Sequence, residues 1–515
     1  MKKYFYITTP IYYASGNLHI GHLYTTTLAW VIANYKKLMG YEVKMLTGSD
    51  EHGLKIQQKA KENNQSEQIY VDQIVEKFKI LWKDLDINYD FFSRTSDFKH
   101  KEKVHDIFEF FLKENLIYKN KYEGLYSVND EEFLTKIQAI ERDGKFYHPT
   151  SNHELEWVSE ESYFFKMSQF TNWLLNYIDN NKDFISPEKI KNEIKNNFLS
   201  KGLEDLSLSR TNVTWGIKVQ KDPKHTLYVW LDALCNYITA LDYDIKTKTQ
   251  GKLFNEFWTN KNTEVVHLIG KEITRFHAIY WPIFLHALNL KLPTRIQSHG
   301  WIITPTGKMS KSKNNVVNPY DLLKHFHPEM IKYFFSSQIS LGEDGVYEQQ
   351  RFIDTINADL VNNFGNLVSR TLKMISNSFN KPLNYVKTSD VNDLDVEHKI
   401  INSIEQYIKY FDNFQVDKAL KVAINLSSSL NKYIDLTQPW TLKNNLERLE
   451  QILNRLLHGI YACTFYLSVV MPQKCNEVLK ALNLTEMNFK DILNFSKFNS
   501  VLTKESFILF NRIKL

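Results

Sequence analysis

His19 and His22 flank Ile20-Gly21, and Lys308 and Lys311 flank Met309-Ser310. Two imidazoles and two ammonium groups form a set of hydrogen-bond donors. A triphosphate displaced at its α-phosphorus needs such donors for the charge that builds on oxygen. On a helix the histidine spacing puts both rings on one face, and near a helix N-terminus the backbone dipole adds to the pull on an anion. Gly21 keeps the backbone clear where a base or ribose would approach. Lys308 and Lys311 follow Gly307 in a turn opened by Thr304-Pro305-Thr306. A point charge on a flexible stem suits a loop that must reach departing β- and γ-phosphates. Each pair also has a plainer reading. The histidines can sit on a polar helix face or ligate a metal, although no HExxH or HxxEH pattern brings a third ligand. The lysines, with Lys313 close by, can be a solvated basic loop.

The elements that must hold these groups are legible around them. Residues 3–9 are β-prone and aromatic, and residues 10–17 are turn-rich with Ser15-Gly16-Asn17. Residues 18–38 carry Leu23, Leu28, Trp30, Val31 and Tyr35 at helical spacing until Gly40. A second strand over 42–47 ends in Gly48-Ser49-Asp50-Glu51-His52-Gly53. Such polar residues at the carboxyl end of a strand stand where open α/β sheets bind ligands. From 112 to 224 the pattern turns short, mixed and charged. Strand-like segments resume at 227–231 and 265–269, each followed by an amphipathic helix, with a further strand at 295–299. Beyond about 345 the chain is helical periodicity, as in Leu360, Phe364, Leu367 and Leu372 or Leu453, Leu456, Leu457 and Ile460. The spacing predicts an α/β fold: a Rossmann-type parallel-sheet domain split by an inserted connective module and followed by an all-α bundle.

Composition bounds the rest. A chain of 515 residues exceeds one hydrophobic core, so several domains are expected. Lys+Arg of 64 against Asp+Glu of 59 leaves +5, so a nucleic-acid partner would need a local basic face. Cys235, Cys463 and Cys475 are too few and scattered for a disulfide framework, which favours a reducing cytoplasm. The opening MKKYFYITTP lacks the apolar core of a signal peptide, and no apolar run is long enough for a membrane span.

With both motifs placed, the chain resembles the class I aminoacyl-tRNA synthetases. Its HIGH stretch is His19 to His22, and its KMSKS stretch lies within HGWIITPTGKMSKSKNNVVNP, residues 299–319. Four further stretches narrow the resemblance to the bacterial methionyl-tRNA synthetases: TTPIYYASGNLHIGH (8–22), LTGSDEHGLKI (46–56), YVWLDALCNYITAL (228–241) and HLIGKEITRFHAIYWP (267–282). The resemblance covers nearly the whole chain. It implies ATP-dependent attachment of L-methionine to tRNA through a methionyl-adenylate, with release of pyrophosphate and AMP. It assigns His19, His22, Lys308 and Lys311 to catalysis, and Gly21, Gly270, Lys271, Glu272, His299, Gly300 and Met309 to ATP. Ile11, Tyr13, Trp230, Ala233, Leu234, Tyr237, Ile273, His277 and Trp281 would enclose the methionine side chain, and Asp50 would hold its ammonium group. Tyr237 and His277 could donate to the thioether sulfur. Asn366, Arg370 and Trp440 would read a CAU anticodon; outside the family, Trp440 could equally be a core plug and Arg370 a salt-bridge partner.

The resemblance also fixes expected boundaries: a first catalytic half over 1–111, the connective insertion over 112–224, the second half over 225–290, a KMSKS-loop and stem-contact region over 291–345, and the anticodon-binding bundle over 346–515. Relatives often carry zinc knuckles built from cysteine pairs in the insertion, where this chain has no cysteine, so no structural zinc is expected. Residues 126–131 stand where a knuckle would begin, and His148 and His153 read as surface or loop residues. Residues 203–213 match the family's return to the main domain, bringing Arg210 toward the active site. The implied partners are methionine, ATP with Mg²⁺, and initiator and elongator methionine tRNAs in the cytoplasm. A chain that ends soon after the bundle is expected to be a monomer. A small-molecule nucleotidyltransferase would leave the helical third unexplained. A silent tRNA-binding scaffold would leave the phosphate donors unexplained.

Overall fold

The computed structural model describes residues 2–130, 132–134, 136, 138–149, 151–308, 316–503 and 506–514, with backbone only for Phe133 and Lys308. Two compact units emerge, residues 1–29 with 41–299 and residues 30–40 with 300–515.

The first unit is built on a parallel sheet. Strand β1 (Tyr4–Tyr13) opens with a fully buried aromatic and aliphatic run, as a strand covered on both faces requires. Helix α1 (Ile20–Leu38) follows, then β2 (Glu42–Asp50), giving the strand-turn-helix-strand unit that the sequence predicts. With β3 (Phe91–Arg94), the sheet order is β3, β2, β1, Thr263–Gly270, Arg295–His299 and Ile185–Ser186, all parallel. Strand order reverses between β1 and Thr263–Gly270. At that point crossover helices leave in opposite directions and open a crevice at the carboxyl edge. Both β1 and β2 run past their predicted ends because Pro10, which lacks an N–H, is absorbed by a register shift between Thr8 and Ile11, after which pairing resumes.

Two expectations need correction. The segment 227–231 is not a strand: only Thr226–Leu227 pairs, and Val229–Thr239 is a helix. Almost every residue of that helix is buried, so no polar face marks its period in the sequence. The segment 112–224 is also more regular than its charged pattern implies. Leu206–Ser207, Glu156–Phe165, Ile117–Ser127 and Glu132–Leu134 form an antiparallel sheet, and the middle of Ile117–Ser127 faces water, which accounts for its lysines. From the same segment, Ile185–Ser186 supplies the edge strand of the parallel sheet. Phe111, Phe165, Trp258, Trp281 and Phe284 belong to the core of this unit.

The second unit is mostly helical, as predicted, with Asn366–Ser378, Val391–Asp412, Val416–Thr437, Leu446–Leu467 and Pro472–Ala481. A small sheet of Gly307–Lys308, Ile302–Thr304 and Gly345–Val346 precedes them. Among the described residues no helix is long and apolar enough to cross a membrane. All three cysteines are buried and unbridged.

The bundle is pinned by charge. Buried Asp393 accepts two bonds from Arg448, at 2.6 and 2.8 Å, and one from Tyr433 at 2.6 Å. Burial works to raise its carboxyl; those bonds and the Arg455 charge outweigh it and hold the group below the usual carboxylate range. The stabilisation is therefore present above the ordinary aspartate range and is lost as pH falls through the lowered value. Asp393→Ala, which leaves Arg448 with Asp390 and Arg455 with Glu397, is expected to destabilise the bundle by about 3 kcal/mol in thermal or urea denaturation. An unchanged midpoint would contradict this role.

Candidate active site

Register brings the predicted residues of the first unit to one edge of the sheet. Ile11 pairs with Gly48, Tyr13 with Asp50, and Gly270 with His299, so the ends of four adjacent strands carry them side by side. His19 and His22 come next in the chain, at the start of α1, with ring centroids 3.9 Å apart. The His19 backbone N–H donates to His22 Nδ1 at 3.0 Å, and the Gly21 N–H donates to His19 Nδ1 at 3.0 Å. Burial, with neighbouring His19, holds His22 far below the usual imidazole range, so this ring is neutral. A neutral ring whose Nδ1 accepts carries its proton on Nε2. Backbone amides thus make His22 a neutral Nε2–H donor and bias His19 the same way. A Cβ at Gly21 would stand 2.8 Å from the His19 ring, so this glycine leaves room for the imidazole, whatever else it admits. One turn on, Thr25 donates to the Gly21 carbonyl at 3.0 Å and meets His299 Nε2 at 2.7 Å, which ties the Arg295–His299 strand end to the histidine pair.

Beside this edge lies an aromatic cluster. Trp230, Ala233, Leu234 and Tyr237 come from the helix Val229–Thr239, and Ile273, His277 and Trp281 from the short helical segments that follow Thr263–Gly270. Trp230 stacks on Phe276 with centroids 3.6 Å apart, and its Nε1 is buried without a hydrogen-bond partner among the described residues. Tyr237 Oη lies 2.7 Å from His277 Nε2, and His277 Nδ1 lies 3.0 Å from the Ile273 carbonyl. Burial lowers His277 to about 4, so it is neutral at pH 7. A carbonyl can only accept, so Nδ1 holds the proton, and Nε2 accepts from the Tyr237 hydroxyl. Neither group is then the free donor to sulfur that the sequence led us to expect. Burial, then Tyr12 and Asp50, push the Tyr237 phenol up, which places the Asp50 charge within reach of the slot. Lys271 is half-buried and Glu272 exposed; a Cβ at Gly270 would run into the Glu272 carboxylate at 2.5 Å.

Other expectations fare differently. Arg210 is held inside the insertion, its guanidinium 3.9 Å from the Tyr126 ring centroid and paired with Glu160. His148 lies in a loop, as expected, but not at the surface: it is buried and meets Glu132 at 3.1 Å. His153 is exposed, as expected, and its Nδ1 joins Ser127 and Ser151 on the Asp130 carboxylate. Among the described residues the cluster with metal-ligand spacing is Glu161, Asp222 and His225. Lys119 lies 2.6 Å from Asp222, and Lys224 lies 2.6 Å from Glu161, so ammonium groups already neutralise it.

In the second unit, Gly307 takes φ +100° in the hairpin joining Ile302–Thr304 to Gly307–Lys308; Met309 and Lys311 lie outside the described residues. A Cβ at Gly300 would fall 2.3 Å from the Glu343 carbonyl oxygen, so the protein backbone by itself already requires this glycine. Asn366 and Arg370 share a helix, and Arg370 reaches Asp435 at 3.4 Å. Trp440 is 47% exposed in the turn after left-handed Gln438, which rules out a core plug.

Sequence reasoning missed Thr8, His267 and Phe276. Thr8 and His267 read as ordinary positions of strands, and only side-chain geometry singles them out. Phe276 does lie within one turn of His277 and Trp281, in a stretch already marked as aromatic.

The profile of the family described as "tRNA synthetases class I (M)" matches residues 5–143 and 146–372. A methionine-tRNA ligase of Mycoplasmopsis pulmonis is 50% identical over 515 residues, the full length of both chains. Another from Oceanobacillus iheyensis is 43% identical over 99% of this chain and 77% of its own. The structure of Mycobacterium tuberculosis methionyl-tRNA synthetase in complex with methionyl-adenylate superposes with a TM-score of 0.92 at 32% identity, covering 99% of this chain and 100% of that one.

The protonation pattern is directly measurable. Nitrogen-15 NMR of the histidine rings should find His277 as the neutral Nδ1–H tautomer at pH 7, titrating at about 4. An imidazolium at neutral pH would contradict the site's polarity.

Proposed function

Since the chain belongs to the methionyl-tRNA synthetases of class I, we propose that it joins MgATP and methionine at the carboxyl edge of its parallel sheet and passes the methionyl group to tRNA. The observation that carries this reading is the pair His19 and His22, with backbone amides on their Nδ1 atoms, at the sheet edge that also carries Asp50, whose charge is felt by buried Tyr237. A methionine carboxylate oxygen attacks the ATP α-phosphorus; the new O–P bond forms as the bond to the β-phosphate bridge breaks and pyrophosphate leaves. The terminal adenosine hydroxyl of tRNA then attacks the activated carbonyl, and AMP leaves with its phosphorus–oxygen bonds intact. No protein nucleophile is required. His19 and His22 donate to α-phosphate oxygens where charge accumulates. Lys308 and Lys311 keep the role their motif implies at the β- and γ-phosphates. Gly21, Gly270, Lys271, Glu272, His299, Gly300 and Met309 belong to the ATP side.

Ile11, Tyr13, Trp230, Ala233, Leu234, Tyr237, Ile273, His277 and Trp281 take the methionine side chain, and Asp50 its ammonium. Asn366, Arg370 and Trp440 take the anticodon of initiator and elongator methionine tRNAs, supported by the exposure of the indole. We assign the catalytic halves to 1–111 and 225–290, the insertion to 112–224, the loop and stem-contact region to 291–345 and the anticodon-binding bundle to 346–515. The enzyme acts as a cytoplasmic monomer without structural zinc.

Replacing His22 or Lys311 by alanine should slow methionine-dependent pyrophosphate exchange by about 10²–10³-fold while leaving the methionine Kd nearly unchanged. A loss mainly in methionine affinity would overturn the assignment. Trp440→Ala should raise the aminoacylation KM for tRNA by about tenfold, the worth of a stacked base, and leave pyrophosphate exchange unaffected; an equal fall in both would contradict an anticodon role.

A further inference from the structure

In the insertion, Ser127 with Asp130 and His148 with Ser151 stand at the spacing of the paired ligands of a zinc knuckle. The four positions offer two hydroxyls, a carboxylate and an imidazole, with no thiolate. Asp130 Oδ2 accepts from Ser127 Oγ, from Ser151 Oγ at 2.7 Å and from His153 Nδ1 at 2.9 Å. The Asp130 backbone N–H donates to Ser127 Oγ at 3.2 Å. Burial works to raise the Asp130 carboxyl; the bonds from Ser127, Ser151 and His153 outweigh it, so the group is ionised at pH 7. The Ser151 backbone N–H donates to His148 Nδ1 at 3.1 Å. An amide N–H can only donate, so the His148 proton sits on Nε2 and goes to Glu132 Oε2, 3.1 Å away. Donors therefore occupy the lone pairs that a zinc ion would need, and the residues do not fit the metal. What they do hold is Glu132. Its other oxygen, Oε1, pairs with Arg275, and the two side chains are only 10% and 13% exposed. Among the described residues Glu132 is the acid paired with this guanidinium. Arg275 lies 5.0 Å from the Phe276 ring centroid and donates to Tyr280 Oη at 3.4 Å. Tyr280 in turn meets Phe276 edge-on, and Phe276 stacks on Trp230.

We propose that Glu132 is a positioning residue for the methionine slot, held against Arg275 by a metal-free knot centred on the Asp130 carboxylate, so that the insertion fixes the segment carrying Phe276 and His277. The inference rests on the cluster around Trp230 being that slot. A guanidinium so far from water is costly without its carboxylate. Without Glu132 the Arg275 side chain must turn toward solvent, and its own backbone runs directly into Phe276. The stack of Phe276 on Trp230 then loses its support, and the loss falls on the amino acid rather than on ATP. The knot does by hydrogen bonds what a knuckle does by coordination: it ties two turns of the insertion together and so keeps Glu132 in place.

The test is methionine-dependent pyrophosphate exchange on the full-length enzyme. Glu132→Gln keeps the shape and removes the charge; it should raise the KM for methionine by about tenfold, the difference between a charged and a neutral hydrogen bond. The KM for ATP and kcat should stay within about twofold of the parent. Arg275→Gln should give a similar rise, and the double variant one no larger than either alone, because the two side chains act through each other. Rises that multiply in the double variant would overturn the coupling. If Glu132→Gln does not fold, judged by its melting temperature, His148→Gln loosens Glu132 without uncovering Arg275 and should raise the same KM by about threefold; an unchanged KM would overturn the proposal. Emission spectrometry of the purified enzyme should find no stoichiometric zinc, and one zinc per chain that is lost in Asp130→Ala would overturn the metal-free knot. Trp230→Ala separates the premise from the inference. If it leaves the methionine KM unchanged, the slot reading fails and the inference with it. If Trp230→Ala raises that KM while Glu132→Gln and Arg275→Gln do not, the inference alone is overturned.

Discussion

A desolvated imidazole has one proton and one lone pair, and in this molecule fixed donors and acceptors decide which nitrogen holds which. His22 takes a backbone N–H on Nδ1, His277 gives its Nδ1 proton to a backbone carbonyl, and His267 takes the Trp281 indole proton on Nε2. Burial is the largest cause of the lowered pKa in all three, so none of these rings is a cation near neutrality. The polarity of the site is thereby set before any ligand arrives. Preorganised dipoles of this kind need not reorient as charge builds in a transition state, which is where such catalysis gains most.

The parallel sheet makes that arrangement possible. Strands that begin in a common core and end at one edge deliver Ile11, Tyr13, Asp50, Gly270 and His299 to adjacent positions, and α1 begins where β1 stops. The same buried strands carry Thr8 and His267 in register one step deeper, so support for the slot comes from the sheet itself. Polar groups so deep are costly unless each finds a partner. Here Thr8 with His267, Trp281 with His267, and Tyr237 with His277 meet at 2.7, 3.1 and 2.7 Å.

Much of this was legible in the sequence, and the reasons for the rest are specific. The half-Rossmann unit around Gly21 shows because strand, turn and helix have different periods and Gly40 closes the helix cleanly. The helix Val229–Thr239 does not show, since burial on nearly all sides erases its amphipathic stripe and β-prone residues open it. Motif residues could be picked out by type and spacing, but a sequence does not say which ring nitrogen is protonated. Tyr237 and His277 were therefore expected to donate outward, whereas their protons are spent within the protein. Gly300 likewise reads as room for a base, and only the nearby Glu343 backbone reveals why a side chain cannot stand there. Thr8 carries no sequence signal, because a threonine in a strand is ordinary until its neighbour is a buried histidine.

The most direct measurement is a crystal structure of this chain with a stable methionyl-adenylate analogue. Its phosphate-equivalent oxygens should accept bonds from Nε2 of His19 and His22, with the thioether end between Trp230, Tyr237 and Trp281 and the ammonium at Asp50. An analogue bound at another edge of the sheet, or with its phosphate-equivalent group out of reach of both imidazoles, would contradict the proposed chemistry.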